Sequence, residues 1–173
     1  MQPSEAKILL LGLGNILLGD EGLGVRALER LLVRYTLPAQ VRAIDGGVMG
    51  LDLLHYLEGI DRLLVLDAVQ TGRPPGSLVR LEGEEVPAAL AVKMSMHQVG
   101  LQELLAVSRF RGTLPPGLVL WGMEPASLEP GLSLSDVVEA RMDGLIEAVV
   151  EELHGWGVRL AARKGADGSK AEN

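Results

Sequence analysis

The chain has 173 residues, a formal net charge of −7, and 47% apolar, 23% charged and only 3% aromatic residues, with no cysteine. That length suits one well-buried core and is short for two. The acidity and the absence of any Lys/Arg-rich run argue against DNA or RNA as main partners, while the missing cysteine excludes disulfides, thiolate metal ligands and a thiol nucleophile.

With so few aromatic residues the core must be built from Leu, Val, Ala and Ile, a composition suited to parallel strands covered by helices. Residues 7–11 form a continuous apolar run that stops at glycines and read as a buried strand. The longer run 8–18 is no signal peptide: a single Lys precedes it, Asn15 breaks it, and it runs into Asp20-Glu21. Nothing reaches the ~18 unbroken apolar residues needed to span a bilayer, so a cytoplasmic protein is expected. From Gly22 the spacing becomes helical, with Val25, Leu28, Leu31, Leu32 and Tyr35 on one face, and Pro38 closes the segment. Residues 41–44 predict a second strand ended by Asp45-Gly46-Gly47. Residues 51–57 predict a helix and 62–66 a third buried strand ending at Asp67. The Thr71 to Gly76 stretch is a loop by composition, and 77–81 predict a further strand at an edge. Residues 98–110 are helical by spacing, Pro115-Pro116-Gly117 is a turn, and 118–122 form a last strand. Ser133 with Asp136 has the form of a capping box, opening a final helix through Val138, Met142, Leu145, Val149 and Leu153.

Alternating strands and helices predict a single α/β domain over residues 1–163, a twisted, mostly parallel sheet with helices on both faces. Residues 164–173 are small and polar and are expected to form a disordered tail. No extended apolar repeat or coiled-coil seam is present, so a monomer is expected.

In open α/β sheets, ligands bind beyond the carboxyl ends of the strands. Three acidic positions qualify: Asp20-Glu21 after the first strand, Asp45 after the second and Asp67 after the third. His97 stands just before a predicted helix. Carboxylates gathered at one edge repel unless a cation or proton neutralises them, and two carboxylates with an imidazole suit a divalent first-row metal. Each residue also has an ordinary reading. Asp67 can cap a turn, Glu21 can answer a helix dipole, and His97 can be a surface histidine. The Gly12-Leu13-Gly14 turn begins like a dinucleotide fingerprint, but Leu17 stands where Gly or Ala is required and no acidic residue follows at the expected distance, so a nicotinamide cofactor is rejected.

Five segments in order carry a resemblance: Gly12-x-Gly-Asn-x-Leu-x-x-Asp-Glu-Gly-x-Gly24, Asp45-Gly46-Gly47-x-x-Gly50, Asp67-Ala68, Ser95-x-His97-Gln98-x-Gly100-Leu101 and Gly122-x-x-Pro125. Together they resemble the hydrogenase maturation endopeptidases, which serve the large subunit of nickel–iron hydrogenases. The resemblance implies removal of a short C-terminal extension from the large-subunit precursor once nickel is in place. It implies that Glu21, Asp67 and His97 contact the metal and carry the catalysis, and that Asp45, Gly46, Gly47 and Gly50 recognise the substrate. Val48 stands where many relatives carry Thr, which removes a hydroxyl. The enzyme is expected to hold no tightly bound cofactor of its own, the nickel being supplied by the precursor. Whether nickel is a recognition element or also polarises the scissile bond stays open, as does whether Glu21 or Asp67 is the general base. Two rivals are a nickel-dependent chaperone that holds the precursor without cutting it, and a peptidyl-tRNA hydrolase-like esterase. The latter shares the Gly-Leu-Gly-Asn turn but normally continues differently.

Overall fold

The computed structural model describes residues 6–91 and 96–163, apart from the side chains of Met96 and His97; the predicted tail and Ser95 lie outside the described residues. The chain runs β1 (Ile8–Leu13), a 3-10 turn (Gly19–Gly22), α1 (Leu23–Arg34), β2 (Tyr35–Thr36), β3 (Val41–Gly47), a 3-10 helix (Leu51–Leu57) and β4 (Arg62–Ala68). It continues through β5 (Leu78–Glu82), α2 (Glu85–Leu90), α3 (Met96–Phe110), β6 (Gly117–Met123), α4 (Asp136–Glu139), α5 (Met142–Gly155) and β7 (Ala161–Ala162).

β1 and β4 are apolar almost throughout because both their faces are covered. Successive side chains point to opposite sides of a strand. Leu10, Leu64 and Leu66 therefore pack under α1 and α5, while Leu9, Leu11, Leu63 and Val65 pack under the 3-10 helix, α2 and α3. Each such leucine contributes roughly 1.5–3 kcal/mol relative to exposure. The sheet order is β3-β1-β4-β6-β5, with every pair parallel except β5–β6. The predicted edge strand is there, and it is antiparallel. β3 lies to one side of β1 and β4 to the other. The direction of winding thus reverses between β1 and β4, and a crevice opens outside their carboxyl ends.

Two expectations are corrected. The single final helix is two: α4 ends at Glu139 and α5 starts at Met142. Ser133 is not the cap. Ser135 occupies that position, without a side-chain capping bond, because its hydroxyl is taken by Asp20. The helix predicted over 51–57 is there, wound as a 3-10 helix. The short α2 and the two-residue pairing of β2 with β7 carry too few residues to show a period in sequence.

α5 is fastened to the sheet by Glu152. Its carboxylate accepts both Arg80 Nε and Nη2 at 2.8 and 2.9 Å, and Trp121 Nε1 at 2.9 Å. The Arg80 fork holds the Glu152 carboxyl below the usual range; burial opposes this and the indole N–H assists it. A lowered folded-state value gives stability that is present above the ordinary Glu range and lost as pH falls through the folded value. Glu152→Gln is therefore expected to lower the unfolding free energy by about 1–2 kcal/mol at pH 7, a range already reduced for solvent screening at the part-exposed Arg80. The loss should shrink toward pH 3. Denaturant unfolding at the two pH values measures the difference, and equal losses at both would contradict the linkage.

Candidate active site

Glu21 is carried over the crevice by the segment that leaves β1. The chain turns at Gly14 (φ 123°) and reaches the short 3-10 turn in which both Asp20 and Glu21 are buried. α1 follows at once and sits hard down on the strand ends. A Cβ at Gly24 would lie 2.1 Å from the Leu66 carbonyl oxygen and 2.4 Å from that of Leu13. Only a residue without a side chain permits that approach, and the approach sets Glu21 beside the end of β4.

Asp67 is the penultimate residue of β4 and is fully buried. Its Oδ1 accepts the Ala68 N–H at 2.8 Å. α3 arrives at the same point from the opposite face of the sheet. Gln98 Nε2 donates to the Ala68 carbonyl at 2.9 Å, in the buried interior. His97, the residue before it, lies within the first turn of α3 rather than ahead of it. The peptide units around Ala68 thus join the end of β4 to the helix that carries His97. Gly50 and Gly100 are in backbone contact, a Cβ on the first falling 3.0 Å from Cα of the second. That contact seats α3 against the loop after β3. Among the described residues no three His, Cys, Asp or Glu side chains converge closely enough to hold a metal ion; the His97 side chain lies outside them.

The remaining buried acids have different duties. Asp20 is fully buried, and its carboxylate accepts the N–H groups of Ala126 (2.8 Å), Ser127 (3.1 Å) and Ser135 (2.7 Å) and the Ser135 hydroxyl (2.7 Å). Glu124 accepts the Thr71 N–H and hydroxyl at 2.6 and 2.8 Å and the Gly72 N–H at 3.3 Å. Both carboxylates are committed to holding loops. Of the predicted acidic pair, Asp20 is a clamp, and Glu21 is the neighbour that the same turn buries. Sequence gave no sign of either clamp, since Asp20 bonds residues 106 to 115 positions away. A serine-rich loop is a poor signal for such a partner.

Asp45 stands apart from Glu21 and Asp67. It lies near the end of β3, on the far side of β1 and level with Gly12, and is exposed. Its Oδ1 accepts the Gly47 N–H at 3.0 Å, and Gly47 takes the left-handed φ of 45° that this turn requires. Gly46 is buried against Leu11 and Leu13. Asp45, Gly47 and Val48 face Asn15, Ile16 and Leu17 across a mainly apolar groove of about 280 Å³.

These features define a class: a doubly wound α/β domain whose working edge pairs buried carboxylates with an apolar groove. Residues 25–152 match the hydrogenase maturation protease family, and the chain belongs to that family. It is similar to the hydrogenase expression/formation protein HupD of Rhodobacter capsulatus, 44% identical over 92% of this chain and 76% of the relative. It is likewise similar to the hydrogenase 2 maturation protease of Escherichia coli, 43% identical over 91% and 97% of the two chains. Among solved structures, the hydrogenase maturating endopeptidase HybD from E. coli superposes with a TM-score of 0.88 at 42% identity, over 92% of this chain and 99% of that one. The chain is thus an endopeptidase by family, which sets aside the esterase reading.

Proposed function

We propose that this protein is a nickel-dependent endopeptidase that removes the C-terminal extension from the large-subunit precursor of a nickel–iron hydrogenase after nickel insertion. Family membership supports the maturation role. A solved relative from Thermococcus kodakarensis, named a [NiFe] hydrogenase maturation protease, is 26% identical with a TM-score of 0.70 over 85% of this chain and 98% of that one. The observation that carries the reading is the placing of Glu21 and Asp67 on either side of the winding reversal between β1 and β4, with the first turn of α3 tied to the end of β4 through Gln98 and Ala68.

In this reading Glu21, Asp67 and His97 grip nickel that arrives inside the precursor, so the protein needs no tightly bound cofactor of its own. Asp45, the backbone of Gly46 and Gly47, and the turn to Gly50 receive the C-terminal stretch along the apolar groove. A carboxylate of the pair takes a proton from the attacking water as its oxygen adds to the scissile carbonyl. The proton then passes to the departing amine as the C–N bond breaks. The protein acts as a monomer in the cytoplasm; among the described residues no helix is long and apolar enough to cross a membrane.

Nickel-loaded precursor incubated with the protein is expected to lose the mass of its extension, and nickel-free precursor to stay intact. Mass spectrometry of both mixtures decides the matter. Equal cleavage of the two removes the nickel requirement, and an unchanged mass in both favours a chaperone that holds without cutting.

A further inference from the structure

The large apolar side chains that stay exposed are not scattered. Among the described residues nine are recorded, and six of them, Ile16, Leu17, Val48, Met49, Leu51 and Leu132, lie on the rim at the carboxyl edge of the sheet. Five of the six flank the groove and the loop after β3. Leu132 does not. It belongs to the 124–135 loop, most of whose residues are exposed, and it is 69% exposed itself.

That loop has no regular structure of its own, yet it is held unusually firmly. Asp20 receives four hydrogen bonds from it. The main chain is stitched to the segment after β1 by Gly131 N–H to Leu17 O and Gly19 N–H to Gly131 O, both 2.9 Å. A fully buried carboxylate is costly to keep out of water, and here it is committed to pinning an exposed loop. Long loops held rigid beside a site commonly carry function. The stitching sets Leu132 next in sequence to Gly131, which is bonded to Leu17, and Leu17 is also a wall of the groove. The apolar rim therefore extends from the groove outward onto the loop. It is flanked by the exposed carboxylates of Asp45 at one end and Glu129 at the other.

We infer that the 126–135 loop is a docking ridge, with Leu132 at its crest, for the folded body of the same precursor whose C-terminal stretch enters the groove. This rests on the processing role proposed above. The flanking acids call for a partner surface whose apolar patch is bordered by Lys or Arg, and a rim of this kind, larger than scattered single residues, marks a protein-binding surface. Leu132 is not among the residues that line the groove itself. The ridge gives the enzyme a hold on the precursor that does not depend on the segment being cut.

The test uses the full chain and a nickel-loaded precursor from which the C-terminal stretch has been deleted, so that only the body can bind. Calorimetry or biolayer interferometry is expected to show binding by the wild type, and at least a tenfold loss with Leu132→Asp. Leu132→Met should bind as the wild type does. The side chain is exposed, so the melting temperatures of the variants should match the wild type. Absence of binding to the truncated body, or equal binding by Leu132→Asp, overturns the ridge. Failure of the processing role is read separately, as an unchanged mass of the complete precursor mixed with wild-type protein.

Discussion

Asp67→Asn is expected to slow cleavage of nickel-loaded precursor by at least about a hundredfold, the usual range for loss of a positioned proton acceptor, while leaving the fold intact. The Asn side chain keeps an oxygen for the Ala68 N–H, which Asp67 Oδ1 now accepts at 2.8 Å. What it loses is the negative charge, which the proposed role uses both to grip a cation and to take a proton. Glu21→Gln should behave likewise, and His97→Ala should lower cleavage by removing an imidazole that the carboxylates cannot replace. Single-turnover assays read by mass, with melting curves alongside, check all three. If every variant cuts at the wild-type rate, the triad has been misassigned.

Asp20→Ala is expected to act in the opposite sense, on stability first. Removing the fully buried carboxylate takes the acceptor from three backbone N–H groups and the Ser135 hydroxyl, all in part-buried bonds. Each lost bond costs on the order of 0.5–1 kcal/mol where water can reach the donor, so a loss of roughly 2–4 kcal/mol is expected, a large share of an ordinary domain's stability. Glu21→Gln, one residue along, should change the unfolding free energy by about 1 kcal/mol or less. Denaturant unfolding of the two variants side by side measures the contrast. Equal stability losses would mean that the neighbouring acids share one role, contrary to the division proposed above. The contrast also bears on docking, because a released 126–135 loop no longer presents Leu132.

Much of this molecule was legible before any coordinates. Continuous apolar runs at β1 and β4 announced strands buried on both faces, since exposure of so many leucines would be unfavourable at about 25 cal/mol per Å². The helical spacing of Val25, Leu28 and Leu31 announced α1, and the three are buried as expected. The glycines also spoke early: Gly24 belongs to a motif quoted from sequence, and the close approach of two carbonyl oxygens shows why no other residue fits there. The general location of the site followed from the rule that ligands collect beyond strand ends.

Local pattern does not divide the acids among their tasks; at the sequence level only the family resemblance chose Glu21 over Asp20. Asp20 and Glu21 are neighbours of the same charge in the same turn, and local pattern treats them alike. The return of the 126–135 loop, more than a hundred residues later, is what engages Asp20. For the same reason Ser135, not Ser133, occupies the cap position of α4, while its hydroxyl serves Asp20. Sheet order was equally a tertiary decision. Nothing in β3 or β4 alone says that they flank β1 on opposite sides, yet that arrangement creates the crevice, brings the turn that carries Glu21 to the end of β4 and moves Asp45 out to the groove. Local propensity and periodicity act over a few residues and determined the elements. Hydrogen bonds and packing between distant segments decided which carboxylates, Asp20 and Glu124, are committed to holding loops.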